Sequence, residues 1–96
     1  ASHSSCRRFT PGFERNLDDA RILALAGKGG VIQINFGSGF LTPEANAWSR
    51  AAWEAETAFV RETDAKEGTA ELDEFRARYR EQNPFPRATL DDVVAH

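Results

Sequence analysis

The stretch GGVIQINF, residues 29–36, decides the fold that the sequence predicts. It is short, β-branched and bounded by glycines, a pattern typical of a β-strand buried on both faces. One face of the predicted strand is apolar: Ile32, Ile34 and Phe36. The other face begins at Val31 and becomes polar at Gln33 and Asn35, toward the carboxyl end of the strand.

A helix is expected immediately before this strand. Asn16 is a suitable N-cap, and Asp18 and Asp19 would lie in the first turn, where the helix dipole favours negative charge. The glycine-rich run 27–30 would end the helix. A helix, a glycine turn and a buried strand together indicate an αβ unit of a parallel sheet.

Three further helices are expected after the strand. Thr42 and Pro43 begin a long helix that Gly68 ends, Thr69 caps the next, and Thr89 with Asp92 forms a capping box for the last. Aromatic residues follow helical stripes and are expected in a core or an interface rather than in a ligand cage: Trp48, Trp53, Phe59 and Tyr79.

The composition is typical of a single small globular domain of 96 residues, with 41% hydrophobic and 28% charged residues. The net charge of −3 argues against a nucleic-acid partner. No apolar run approaches the roughly 20 residues that a membrane-spanning helix needs. The chain contains no methionine, and one parallel-type strand has no partner within it, so we expect it to be part of a longer protein.

Two residues near the start of the chain are candidates for metal or thiol chemistry. His3, in the stretch SHSS, is either an exposed histidine or a metal ligand oriented by neighbouring hydroxyls. One histidine does not make a zinc site, since zinc takes at least three protein ligands. Cys6 has no partner cysteine or nearby base in the sequence, so packing is its expected role.

Polar residues of the first half are candidates for substrate contacts. The loop that contains Arg7, Arg8 and Arg15 has two interpretations. It is either a solvated basic loop, or it supplies one arginine that binds a substrate carboxylate in a bidentate fork. Gln33 and Asn35, if buried on a strand, need hydrogen-bond partners. Structural bonding and substrate contact are both open for these two amides.

The order of motifs resembles that of the membrane dipeptidase family, peptidase family M19. The similarity rests on SHSS, the Arg15-Asn16 pair, the DD helix start, GGVIQINF and GSGFLT, and it returns at PRATLDDVVAH. It implies an α/β fold, namely a fragment of a TIM-type (β/α)8 barrel from the end of strand 6 to the start of helix 7. Residues 1–46 would be a barrel segment, 47–83 a helical insertion after strand 7, and 84–96 the start of the next barrel helix.

The resemblance also implies a zinc-dependent dipeptidase with two zinc ions, and it suggests a homodimer. His3 would be a zinc ligand, Arg15 would bind the C-terminal carboxylate of the dipeptide, and Asn35 would lie near the substrate. The remaining ligands and the catalytic aspartate of the family would lie outside this chain, which alone would be inactive. After the seventh strand, family members have aromatic and amide residues, whereas this chain has Gly37, Ser38, Gly39 and Phe40. The substrate preference of the family therefore does not carry over.

Two other interpretations of the sequence compete with this one. The aromatic stripes of the helices would also suit a non-enzymatic helical module that binds a partner helix. A different metal-dependent hydrolase of the amidohydrolase type would suit the same predicted barrel.

Overall fold

The computed structural model describes all residues, 1–96, and is 58% helical with no sheet. A single turn of 3-10 helix lies at Arg7–Phe9. Five α-helices follow: α1 Asp19–Gly27, α2 Ser38–Leu41, α3 Pro43–Thr63, α4 Ala70–Gln82 and α5 Leu90–Ala95. None of these helices combines the length and the apolar character that crossing a bilayer requires.

The predicted α/β fold, a (β/α)8-barrel fragment with a strand at residues 31–36, is therefore wrong. These residues belong to no strand, and the one bridge of β type in the chain joins Cys6 to Leu17. The expected burial on both faces is also absent, because Val31 and Phe36 are each 71% exposed.

Residues 31–36 pair with the backbone only at Ala1, because the segment that contains Ala1 turns away from them at His3. The Ala1 nitrogen donates to the Val31 carbonyl at 2.5 Å, and the Gln33 N–H donates to the Ala1 carbonyl at 2.9 Å. His3 then adopts a left-handed conformation with φ of 56°, which interrupts an extended strand. Beyond it, the Asn35 N–H donates to the side-chain oxygen of Ser5 at 3.2 Å instead of to a backbone carbonyl.

The first helix begins two residues later than the sequence predicts. Asp18 is its N-cap, and the Asp18 carboxylate accepts from the Arg21 N–H at 2.9 Å. Asn16 is instead fully buried. The predicted capping role of Asn16 is thus wrong, because its side chain bonds to groups outside the helix.

Predicted helix starts that depend on local chemistry are confirmed. Helix α3 begins at Pro43, with the Ala45 N–H donating to the Thr42 hydroxyl at 3.3 Å. The capping box between Thr89 and Asp92 is present at the start of α5. Helix α3 ends at Thr63, before a left-handed residue at Asp64 with φ of 54°, and so stops short of Gly68.

The chain divides into two compact units. The first contains Ala1–Ala47 and Pro86–His96, and its buried residues are mostly polar: Ser4, Ser5, Thr10, Asn16, Leu41 and Ala45. A core in which hydroxyls and an amide outnumber apolar side chains depends on hydrogen-bond geometry more than on apolar area.

The second unit, Trp48–Phe85, is held by aromatic contacts between helices α3 and α4. The rings of Phe59 and Phe75 stack with centroids 4.4 Å apart. The Trp48 ring packs edge-on against Tyr79 at 5.7 Å, and its indole N–H donates to the Asn83 carbonyl at 2.8 Å. Three of the four aromatic residues expected in a core or an interface, Trp48, Phe59 and Tyr79, therefore pack within this unit, whereas the fourth, Trp53, is 68% exposed.

An arginine bound by two carboxylates joins three parts of the second unit. Arg76 of α4 makes two hydrogen bonds to Glu56 of α3, at 3.0 and 2.7 Å, and two to Glu67 of the connecting loop, at 2.8 and 2.9 Å. These bonds, together with the positive charge, lower the pKa of both Glu56 and Glu67.

We expect the substitution Arg76→Gln to lower the melting temperature at pH 7. It should also reduce the fall in melting temperature between pH 7 and pH 3. Because both carboxyl pKa values are lower in the folded chain than in the unfolded one, their stabilisation is present above the ordinary glutamate pKa of 4.5. It is lost as the pH falls below that value, through the folded-state pKa values. Circular dichroism melts at pH 7 and pH 3 measure both effects.

The matched control is Arg78→Gln, which removes an exposed arginine of the same helix that forms no ion pair. It should leave the melting temperature and its pH dependence close to those of the unsubstituted chain. Equal losses in the two variants would show that the Arg76 bonds do not stabilise this unit.

Candidate functional site

The candidate site lies in the first unit, where hydrogen bonds tie the segment after His3 to the Arg15-Asn16 pair. The Ser4 hydroxyl donates to the Arg15 carbonyl at 3.0 Å, and the Ser5 N–H donates to Asn16 Oδ1 at 2.8 Å. The SHSS and Arg-Asn motifs, 11 residues apart at these contacts, are therefore held together.

Asn16 is the centre of this arrangement. Besides accepting from Ser5, it donates through Nδ2 to the Thr10 hydroxyl at 2.7 Å and to the Phe40 carbonyl at 2.8 Å. Its own carbonyl accepts from Arg7 Nε at 2.8 Å. Its side-chain oxygen and both amide hydrogens are thus engaged, as a fully buried amide requires.

His3 is exposed, and its imidazole makes no hydrogen bond or ion pair within the chain. The backbone around it is fixed, because the next two residues, Ser4 and Ser5, are buried and hydrogen-bonded. The chain contains no group of three or more histidine, cysteine, aspartate or glutamate side chains placed to hold a metal ion. The donors of these residues therefore do not fit a complete zinc site.

Arg15 is also exposed and forms no ion pair, but its guanidinium is not without a contact. The guanidinium carbon lies 5.0 Å from the centroid of the Phe40 ring, on the face of that ring. In contrast, Arg7 is engaged by the carbonyls of Glu14 and Asn16 and lies 3.5 Å from the Asp18 carboxylate. Of these loop arginines, Arg7 therefore has a structural role.

Asn35 is half-buried and lies beside the same segment. Its side-chain oxygen accepts from the Gly37 N–H at 2.8 Å, which closes a tight turn. Its backbone N–H and carbonyl both face the Ser5 hydroxyl, at 3.2 and 3.4 Å. The structure thus gives Asn35 a structural role in the turn, and a contact with substrate stays a prediction.

His96 is a residue of this region to which the sequence assigned no role. His96 Nδ1 accepts from the Cys6 N–H at 3.0 Å, so its hydrogen is on Nε2, which donates to the Leu41 carbonyl at 2.9 Å. Both ring nitrogens are engaged by the backbone. His96 is therefore a structural residue that joins Cys6 to Leu41.

The Cys6 thiol is part of the same contact. It donates to the His96 carbonyl at 3.2 Å, and its pKa is raised by burial and by the negative charge of Asp19. A raised pKa keeps the sulfur protonated at neutral pH, which disfavours a nucleophilic role.

The comparison with protein families decides the identity of the chain. The model of the membrane dipeptidase family, peptidase family M19, matches residues 1–96. The chain belongs to this family. Membership places it among peptidases and gives dipeptides as the substrate class. No curated protein matches the chain.

We expect Asn16→Ala to destabilise the first unit strongly. The change leaves the Ser5 N–H, the Thr10 hydroxyl and the Phe40 carbonyl without their partner. Each unsatisfied buried group costs about 1–3 kcal/mol, so the free energy of unfolding should fall by roughly 3 kcal/mol or more. Urea titration followed by circular dichroism measures the loss.

Asn46→Ala is the matched control, since Asn46 is half-buried and its side-chain amide makes one hydrogen bond, to the Gly39 carbonyl at 3.1 Å. We expect a loss of about 1 kcal/mol there. If the two variants lost equal stability, Asn16 would not be the centre of the first unit.

Proposed function

We propose that this chain is part of a zinc-dependent dipeptidase, in which it provides one metal ligand and the group that binds the substrate carboxylate. Family membership over all 96 residues carries this proposal. The family is generally zinc-dependent, and bound zinc supplies Lewis acidity for peptide hydrolysis. In this proposal the other zinc ligands lie outside these residues, and the chain by itself is inactive.

His3 is proposed as the zinc ligand because its imidazole is exposed and free of hydrogen bonds within the chain. The other histidine, His96, is unsuitable because both of its ring nitrogens are used by backbone groups. A metal ligand needs a lone pair on one ring nitrogen. The buried Ser4 and Ser5 hold the backbone next to His3 in place.

Arg15 is proposed to bind the free C-terminal carboxylate of a dipeptide. An exposed guanidinium without an ion pair in the chain retains hydrogen-bond donors for a bidentate contact with a carboxylate. A carboxylate held at one fixed point also limits the length of substrate that can reach a reaction centre, which favours dipeptides over longer peptides.

In the complete dipeptidase, His3→Asn should lower the zinc content and abolish dipeptide hydrolysis. Asparagine tolerates the left-handed backbone that residue 3 adopts, with φ of 56°, so the change removes the imidazole without straining the chain. Metal content by mass spectrometry and hydrolysis rates measure the two effects. Zinc content equal to that of the unsubstituted enzyme would remove His3 from the ligand set.

Arg15→Ala should raise the KM for dipeptides about 10- to 100-fold, the effect of losing hydrogen bonds to a charged group, with a smaller effect on kcat. The zinc content should not change. Arg8→Ala is the control, because Arg8 is exposed in the same loop and forms no ion pair.

Dipeptide amides, which lack the carboxylate, provide the second comparison for this variant. The unsubstituted enzyme and Arg15→Ala should have similar KM values for them. A similar increase in KM for dipeptides and for their amides would contradict the proposed carboxylate contact.

A further inference from the structure

The ring of Phe40 is the only side chain that contacts the Arg15 guanidinium through a charge-dependent interaction. The guanidinium carbon lies 5.0 Å from the ring centroid, and Arg15 makes no ion pair. A cation within about 6 Å of the ring centre is attracted by the negative face of the ring. The Arg15 side chain donates no hydrogen bond within the chain, so the N–H groups of its guanidinium are available to an anion.

Phe40 is itself well anchored. Its N–H donates to the Gly37 carbonyl at 2.8 Å, and its carbonyl accepts from Asn16 Nδ2 at 2.8 Å. The ring packs edge-on against Phe13, with centroids 5.2 Å apart and an angle of 77°. Asn16, next to Arg15 in the chain, therefore binds the backbone of the residue whose ring lies against Arg15.

We propose that Phe40 is a positioning residue that holds the Arg15 guanidinium ready for the carboxylate of a dipeptide. This inference rests on the proposed role of Arg15. A free arginine side chain loses rotamer freedom when it binds substrate, and a ring that already restricts it reduces that loss. Phe40 thereby favours substrates with a free carboxylate without touching the reacting atoms.

The test is Phe40→Leu in the complete dipeptidase. Leucine keeps an apolar side chain and the backbone bonds of residue 40 but lacks the aromatic face. The KM for dipeptides should rise about two- to five-fold, as expected for the loss of an exposed cation–π contact, with kcat unchanged. The KM for dipeptide amides should not change.

Two variants separate this effect from a general loss of packing. Phe40→Trp retains an aromatic face and should restore the low KM. Phe36→Leu removes a ring that is 71% exposed and makes no ring contact, and should leave the KM unchanged. A KM raised equally by Phe40→Leu and Phe40→Trp would overturn the proposal.

The double variant with Arg15→Ala distinguishes failure of this inference from failure of the proposed function. Phe40→Leu should have no further effect on KM once Arg15 is absent. If Arg15→Ala raises the KM and Phe40→Leu does not, the positioning role of Phe40 is wrong while the role of Arg15 stands. If Arg15→Ala leaves the KM unchanged, the proposed carboxylate contact is itself wrong.

Discussion

The side-chain amide of Asn16 is the interaction on which the first unit depends. Its oxygen and its two amide hydrogens bond to the Ser5 N–H, the Thr10 hydroxyl and the Phe40 carbonyl, three groups from different parts of the chain. Because the amide is fully buried, water does not replace any partner that is lost. The same three bonds bring together the segment after His3, the loop before Arg15 and helix α2.

A polar core of this kind fixes positions more strictly than an apolar core of the same size. Apolar side chains repack with modest loss when their shapes change, whereas a buried amide is satisfied only in one geometry. Leu41 and Ala45 are the apolar residues buried in the first unit, so little apolar area competes with the hydrogen bonds. The unit therefore suits the placement of exposed side chains such as His3 and Arg15, which depend on a rigid backbone rather than on their own packing.

Features governed by neighbouring residues could be predicted from the sequence, and features governed by distant ones could not. The starts of α3 and α5 follow from Thr42 with Pro43 and from Thr89 with Asp92, which act within four residues. The segment 31–36 has the composition of a strand, but a strand exists only with a partner, and pairing with Ala1 ends where His3 turns the backbone. The sequence predicts Asn16 as a helix cap because asparagine is a preferred N-cap residue. The same residue type also serves as a buried amide, which the sequence does not distinguish.

The candidate site combines buried residues, which fix the backbone, with exposed residues, which are available to bind ligands. The family resemblance singled out His3 and Arg15 from motifs, but it did not indicate Phe40, because a contact between a guanidinium and a ring 25 positions away depends on the folded loop. Asn16 connects Arg15 with Phe40, since it is adjacent to Arg15 in the chain and its side chain is hydrogen-bonded to the Phe40 carbonyl. A change in this polar core would therefore move the arginine and the ring together, whereas a change in the ring alone would alter the freedom of the guanidinium and leave the core intact.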